Sequence, residues 1–286
     1  MKSLSLRNNT SSLKVRLKSQ PTKRKRDHQE LYELLNTYKE LAYPVLLSII
    51  IPVYNEENTI AKIIEELPEH DLIEIIIIDD HSTDNSLDLI RKAKHNGKMH
   101  IIEHKFNQGY GAALLTGILH SEGKVFLTMD SDGQHNVYDI INLAKPVLEG
   151  SADIAIGSRY KGSYNYKLPL ATRFGEALLE AVIGFFFGQR VKNNQSGFRA
   201  FHRTTYKIFE DTRFNGYAFT TELILSAVLH DYRITECPID LKSREHGTSY
   251  IVLSKLLISL GLCVWLYILK NTKRLFSKGK KSREKV

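Results

Sequence analysis

Between residues 46 and 159 the chain alternates largely apolar runs with runs that are apolar on one helical face only. The first kind comprises LLSIIIPVY (46–54), LIEIIIID (72–79), MHIIEH (99–104), KVFLTMD (124–130) and ADIAIGSR (152–159). The second comprises NTIAKIIEEL (58–67), SLDLIRKAK (86–94), GYGAALLTGILH (109–120) and VYDIINLAKPVLE (137–149). A strand with no polar side has no face to offer to water. Such strands separated by helices predict an α/β fold: a mostly parallel sheet with helices on both faces. Ligands of these sheets bind beyond the carboxyl ends of the strands, so the polar residues that close each run are the ones to read.

Those residues are Pro52-Val-Tyr54-Asn55-Glu56-Glu57, then Asp79-Asp80-His81-Ser82-Thr83-Asp84, then Asp130-Ser131-Asp132-Gly133-Gln134-His135, then Gly157-Ser158-Arg159-Tyr160. Acids collect at three successive strand ends, an arrangement that repulsion penalises unless a cation sits among them. Asp130, Asp132 and Gln134 alternate, so on an extended backbone their oxygens share a side. Hard oxygen donors of this kind suit Mg²⁺ or Mn²⁺, which also take phosphate oxygens. An Asp-rich turn that merely caps a following helix is the plainer reading of any one of these motifs. Asp84 or Ser82 is expected to cap the helix after residue 84, leaving Asp80 for a ligand. Tyr54 can stack on a base and Glu56 can accept hydrogen bonds from a nucleoside. Arg159 offers a guanidinium fork to phosphate. In Ser196-Gly197-Phe198-Arg199 a tight glycine turn and two core phenylalanines, Phe198 and Phe201, are expected. Neither GxGxxG nor GxxxxGK[ST] occurs, which removes support from a dinucleotide domain and a P-loop.

Charge is unevenly placed. Residues 1–26 hold nine Lys or Arg and no acid, and residues 270–286 hold eight with one Glu; the stretch between is net −8 in a chain of +8. Basic ends on an acidic body suit an anionic membrane surface; a nucleic-acid partner is not expected, because its basic charge would lie on the fold. Two cysteines, Cys237 and Cys263, make no disulfide framework, and no apolar leader segment precedes residue 40.

Eight pieces in register carry a resemblance: PVYNE (52–56), IIDDHSTD (77–84), NQGYGAA (107–113), MDSDGQH (129–135), GSRYKG (157–162), SGFRAF (196–201), TEL (221–223) and REHGTS (244–249). Over about residues 46–270 the chain resembles family 2 glycosyltransferases of the GT-A fold, the dolichyl-phosphate mannose synthase and polyprenyl-phosphate group. The resemblance implies that Pro52, Tyr54, Glu56, Ile78 and Asp80 hold the nucleoside of a nucleotide-sugar donor. It implies that Asp130 and Ser131 contact the donor and that Asp132 and Gln134, with Asp130, ligate Mg²⁺ or Mn²⁺ on the diphosphate. Arg159 and Arg244 would meet phosphates, and Glu222 would lie near the reacting centre, a base only for a hydroxyl acceptor. Asp130, Asp132, Arg159 and Glu222 are thus the expected catalytic set. The implied reaction inverts the anomeric carbon on transfer from GDP-mannose, UDP-glucose or UDP-N-acetylglucosamine to dolichyl or polyprenyl phosphate, at the cytoplasmic face of a membrane. Relatives carry Lys where this chain has Tyr250, and often Ser where it has Ala177; Arg173 matches an acceptor-phosphate arginine. A lipid or glycan hydroxyl acceptor, a nucleotidyltransferase and a non-catalytic membrane module are the competing readings.

The expected organisation is a disordered basic tail (1–27), a helix and linker (28–45), the catalytic domain (46–250), an interfacial or membrane helix (251–270) and a second basic tail (271–286). FGEALLEAVIGFFFG (174–188) and IVLSKLLISLGLCVWLYIL (251–269) are the apolar stretches for a lipid acceptor. The second is borderline in length for a span, and a span would carry a basic tail across the bilayer.

Overall fold

The computed structural model describes residues 28–39, 43–164, 170–214, 216, 218–243 and 258–272. Arg244, Tyr250, residues 251–257 and both basic tails lie outside the described residues.

The fully apolar runs become strands. β1 (Leu47–Val53) and β2 (Ile73–Asp79) are buried at every position, as is β4 (Val125–Thr128). β3 (Lys98–Glu103) lies at the sheet edge and is half exposed. β5 (Ile154–Tyr164) runs five residues past the predicted end. Two further strands, β6 (Arg199–His202) and β7 (Ile234–Leu241), complete a seven-stranded sheet in the order β3-β2-β1-β4-β6-β5-β7. All pairings are parallel except those of β6, which runs antiparallel to β4 and β5. The segment read as a turn with core phenylalanines is therefore a reversed strand wedged into the sheet centre. Only four residues long, it carries too little alternation to be recognised by pattern.

The helices are α1 (Gln29–Thr37), α2 (Ile60–Glu66), α3 (Ser86–Lys92), α4 (Tyr110–Leu119), α5 (Ile140–Leu148), α6 (Leu170–Phe187), α7 (Lys207–Glu210), α8 (Phe219–Leu229) and α9 (258–272). One core cluster packs α1, α2, α3 and α5 on one sheet face. The other packs α4, α6, α7, α8 and α9 on the opposite face. α4 lies unusually close to the sheet: a Cβ on Gly117 would stand 2.4 Å from Ile50 Cγ2 and 2.7 Å from Ile78 Cδ1. That contact fixes Ile78 as a core residue, fully buried. α6 does not follow the last strand, as the sequence suggested; it is an excursion between β5 and β6. Among the described residues no helix is long and apolar enough to cross a membrane.

Candidate active site at the carboxyl ends of the sheet

The β1 and β2 ends are laced together. Asn55 and His81 both take left-handed backbone conformations, φ 57° and 65°, uncommon for non-glycine residues but most often met in Asn, Asp and His. Asn55 Oδ1 accepts from Thr83 N (2.7 Å), Asn55 N donates to Ser82 Oγ (3.0 Å), and Glu56 N donates to Ser86 Oγ (2.7 Å). The N-cap of α3 is Asn85, whose side chain makes no capping hydrogen bond, in place of the expected Asp84 or Ser82; Asp84, one residue before it, accepts from Ser86 N at 2.9 Å, and its other oxygen accepts from Glu57 N. Tyr54 stands exposed beside this lattice.

Asp80, expected at the nucleoside, is positioned by the chain around it. Its Oδ1 accepts from Gln108 N (2.8 Å) and meets His104 Nδ1 (2.7 Å), while Oδ2 accepts from Gly109 N (2.8 Å). A buried carboxylate is thus consumed by the entrance to α4, where unpaired N–H groups attract negative charge. Asp79 is the acid with capacity to spare. It is buried, Oδ2 accepts from Ser82 N (3.1 Å), and Oδ1 has no hydrogen-bond partner among the described residues. A buried acceptor left unpaired costs roughly 1–3 kcal/mol, so this oxygen marks a place where a donor belongs. Ile78 offers no side chain to a ligand; its part is to aim these two acids.

Asp130 follows β4, whose pairing with β1 continues through Met129 N to Ile50 O (3.0 Å). Ser131 Oγ donates to Pro52 O (2.8 Å), tying the two strand ends together. Gly133, at φ 76°, lets the chain turn so that Asp132 Oδ1 accepts from Gln134 N (3.0 Å). Gln134 Nε2 donates to Lys242 O (3.0 Å), so the amide oxygen is the atom Gln134 offers elsewhere. Asp130 Oδ1 accepts from Tyr110 OH (2.8 Å), and Oδ2 lies 3.9 Å from His135 Nε2. Burial raises the Asp130 carboxyl pKa; the nearby His135 works against this and the Asp132 charge adds to it. Tyr110 is driven well above its ordinary value by burial, then by Asp130.

Gly197 of the loop before β6 packs on Asp130. A Cβ there would stand 2.3 and 2.5 Å from the two carboxylate oxygens. Its φ is not positive, so close approach, not a tight turn, is what demands glycine. Arg199, left open by the sequence, is buried; it donates to Ser196 O (2.7 Å), Thr220 O (2.7 Å) and Asn194 O (2.9 Å), holding that loop in place. Burial pulls its pKa down to about 10, against the attraction of Tyr110 and Asp130.

Asp130, Gln134 and Arg159 line one cavity of about 110 Å³ with His135, Asn193, Gln195, Ser196 and Gly197. Arg159 is paired there: its Nη2 donates to Glu176 Oε1 at 2.5 Å, and Tyr160 OH donates to the other oxygen of the same carboxylate. Burial, then Glu176, lifts the Tyr160 pKa to about 12. Glu176 comes from α6 and was missed; the available signal was an acid inside an otherwise apolar helix.

Glu222 does not line the cavity. Fully buried on α8, it accepts from Arg213 N (3.1 and 3.0 Å), Phe214 N (3.0 Å) and Tyr267 OH of α9 (3.2 Å). The expected reacting-centre acid is instead the joint between α8, the 213–214 turn and α9.

No group of three His, Cys, Asp or Glu among the described residues could cage a metal ion. The donors present, Asp130, Asp132 and the Gln134 amide oxygen, fit a hard divalent ion that completes its shell with water and substrate phosphates.

The chain has relatives among named proteins. It is 30% identical over 220 residues to the UDP-N-acetylglucosamine–dolichyl-phosphate N-acetylglucosaminyltransferase of Methanococcus voltae, covering 71% of this chain and 88% of that one. It is 31% identical over 221 residues to the dolichyl-phosphate beta-glucosyltransferase of Saccharomyces cerevisiae, covering 68% and 66%. The fold matches the crystal structure of Mycobacterium tuberculosis glucosyl-3-phosphoglycerate synthase in complex with Mn²⁺, UDP and glucosyl-3-phosphoglycerate, at TM-score 0.59, 20% identity and coverage of 84% and 82%. Residues 48–211, which hold β2 to β6, all of β1 but its first residue and every polar residue that lines the acid–arginine cavity, match the profile described as Glycosyl transferase family 2, and the chain belongs to that family of glycosyltransferases.

Proposed function

We propose that this glycosyltransferase moves a hexose from a uridine-diphosphate sugar to dolichyl or polyprenyl phosphate, with inversion, as a peripheral protein on the cytoplasmic face of a membrane. The observation that carries the reading is the shared cavity of Asp130, Gln134 and Arg159: oxygens for a divalent ion, just beyond the end of β4, and a guanidinium for phosphate, from the middle of β5, line one space. The names of the relatives from M. voltae and yeast support the acceptor, and the first of them a uridine donor.

Tyr54 would stack on the base and Glu56 would receive the ribose. Asp130, Asp132 and Gln134 would hold Mg²⁺ or Mn²⁺, which when bound offsets the charge of the diphosphate leaving group. Arg159 stabilises phosphate charge by redistributing its fork between Glu176 and substrate. An acceptor phosphate oxygen attacks C1, the bond from C1 to the β-phosphate oxygen breaks, and the nucleoside diphosphate leaves. A phosphate monoester has its second pKa near ~6, so the nucleophile arrives charged and no base is needed; catalysis is positioning and charge stabilisation.

A hydroxyl acceptor would need a base, and Glu222 was its candidate. The four hydrogen bonds that occupy Glu222 favour the phosphate acceptor. The test is transfer of radiolabel from UDP-glucose, UDP-N-acetylglucosamine or GDP-mannose to a short dolichyl phosphate, with Mg²⁺ or Mn²⁺ and with Asp132→Ala as control. One uridine donor giving an organic-extractable product, absent in the variant, is the expected result. Donor turnover without a lipid product would overturn the acceptor, and product from GDP-mannose alone would overturn the donor.

A further inference from the structure

Beside its acids and its arginine, the cavity is lined by two side-chain amides, Asn193 and Gln195. Gln195 is spent on the fold: its Nε2 donates to Thr221 Oγ1 (2.7 Å) and its Oε1 accepts from Thr220 Oγ1 (3.3 Å). Asn193 is spent only by half. It is 2% exposed, its Nδ2 donates to Gly157 O (2.9 Å), and its Oδ1 is buried with no hydrogen-bond partner among the described residues. Turning the amide over does not remove the unmet oxygen, because Oδ1 would then face the Gly157 carbonyl oxygen, acceptor against acceptor. The backbone of the residue is held as well. Asn193 N donates to Glu236 Oε1 on β7 (2.9 Å), and Asn193 O accepts from Ser196 N (3.2 Å). The next residue is tied down too, with Asn194 Nδ2 donating to Glu176 O (3.1 Å) and Val191 O (3.3 Å). The chain thus fixes one carbonyl oxygen in a buried place and supplies no donor for it. An acceptor in that condition carries its full desolvation cost until a donor arrives, and the cavity that Asn193 lines is the space for one.

We propose that Asn193 Oδ1 receives a hydroxyl of the donor's hexose, which makes Asn193 a specificity-determining residue of the transfer. The chemistry of the substrates selects this group. A carbonyl oxygen only accepts, so it repels the oxygens of the diphosphate and of an ionised acceptor phosphate. What it asks for is an O–H, and the hexose is the hydroxyl-bearing part bonded directly to the diphosphate. Its place in the fold agrees. The carbonyl that anchors Asn193 belongs to Gly157, two residues before Arg159 on β5 and so about 7 Å from it along the strand. A diphosphate that meets Arg159 and a divalent ion at Asp130 carries its sugar into the same cavity, which Asn193 also lines. The ribose lies two phosphates further off. A site that offers a fixed, buried acceptor to one hydroxyl rejects a sugar lacking that hydroxyl, because the acceptor is then left unmet. The inference rests on the reading of a nucleotide-sugar donor and is independent of the acceptor.

The test reads donor binding by calorimetry on the full chain, with Mn²⁺ and without acceptor, so that transfer plays no part. UDP, UDP-glucose, UDP-N-acetylglucosamine and GDP-mannose are compared first. The sugar nucleotide that binds tightest is then replaced by analogues that each lack one hydroxyl of the hexose. In the wild type one analogue should bind about tenfold or more weakly than its parent. In Asn193→Ala the parent should fall to the level of that analogue, and the same deletion should then cost less than about twofold; UDP should bind both proteins alike. Asn193→Ala also strips Gly157 O of its donor and should lower the melting temperature, but lost stability by itself does not make one deletion and one mutation non-additive. Asn193→Asp keeps an oxygen acceptor and should keep the discrimination. The inference is overturned if the wild type binds every analogue as it binds the parent, a result that stands even where Asn193→Ala fails to fold. It is overturned equally if the deletion costs as much in Asn193→Ala as in the wild type, the sign of a water or another side chain at work. Weakened Mn²⁺ binding in Asn193→Ala without nucleotide would overturn it in favour of a metal-bound oxygen. Failure of every sugar nucleotide to bind would sink the proposed function itself, whereas binding without discrimination would sink the role of Asn193 alone.

Discussion

Replacing Gly197 by Ala tests whether the placement of Asp130 governs transfer. The added Cβ would stand 2.3 and 2.5 Å from the Asp130 oxygens and 2.5 Å from the Tyr110 hydroxyl, where ordinary contact begins at 3.4 Å. Roughly 1 Å of displacement must be absorbed, and the question is by which partner. The loop cannot retreat freely: Gly197 O accepts from Thr128 Oγ1 (2.7 Å), Phe198 O accepts from Gly157 N (2.9 Å), and Arg199 holds Ser196 and Asn194. The Asp130 carboxylate is the softer element, free to rotate away from Tyr110 at the loss of one hydrogen bond. Overpacking of this size costs about 1–3 kcal/mol of stability. A misplacement of about 1 Å in a reacting constellation costs on the order of 10²-fold in rate. The expected outcome is therefore a folded protein whose melting temperature falls by several degrees, whose kcat falls about 10²-fold, and whose Mn²⁺ affinity weakens in parallel. Gly175→Ala, where a Cβ meets nothing within 4 Å, is the control: it should leave kcat and Mn²⁺ affinity unchanged and, in a helix interior, raise the melting temperature slightly. A Gly197→Ala enzyme that loses stability but retains kcat would refute the reasoning, since strain would then have been absorbed without disturbing the acid that is supposed to matter.

Three further outcomes follow from the geometry. Asp80→Asn should lower stability by about 1–3 kcal/mol as its partners lose a charged acceptor, and should weaken UDP protection in a thermal melt; protection unchanged in the folded variant would remove Asp80 from the donor site. Glu222→Gln should cost a similar ~1–3 kcal/mol and Tyr267→Phe ~1 kcal/mol, with kcat for a phosphate acceptor little changed in the folded fraction; a kcat loss without a stability loss would make Glu222 a base after all. Asp139, held by Asp240 N (2.7 Å) and Asn142 Nδ2 (3.3 Å), has its pKa lifted by burial from 3.8 to about 6. The folded state then keeps this proton longer than the unfolded chain, so the stability it brings is full below pH 3.8 and is lost as pH rises through about 6. Asp139→Asn should flatten that part of the stability profile; an unchanged profile would show that Asp139 titrates normally.

The parallel half of the fold was legible because its strands are buried on both faces and its ligand motifs follow them directly in sequence. Each of PVYNE, DDHSTD and DSDGQ needs only its preceding strand to be placed. The donor half of the site is in this sense local. The other half is not. β6 is four residues long and runs backward between β4 and β5; Gly197 matters because of an acid 67 residues earlier; Glu176 meets Arg159 across an excursion of the chain. None of these relations has a period to detect. Asp80 and Glu222 share a further property hidden from the sequence: each acid, expected at a ligand, also receives backbone N–H groups at a helix start or a turn. The 29-residue reach from Asp80 to Gly109 has no local signal.

The same distinction explains how the site can be both rigid and permissive. Asp80, Arg199 and Glu222 are buried charges whose oxygens or guanidinium nitrogens are matched to backbone groups. Such groups are costly to expose and costly to strip of partners, so they fix the α4 entrance, the 194–199 loop and the α8–α9 joint against movement. The groups expected at substrate, Asp130, Asp132, Gln134 and Arg159, lie among these fixed supports, where preorganised charge is most effective. Gln195 joins the two sets, since its Nε2 donates to Thr221 Oγ1 (2.7 Å) next to Glu222 while its residue lines the cavity. A disturbance at α9 has a physical route to the cavity through Tyr267, Glu222, the first turn of α8 and Gln195. Tyr267→Phe should therefore raise amide hydrogen exchange in the 194–199 loop as well as at the 213–214 turn. Exchange raised at 213–214 alone would confine the joint's role to holding α9.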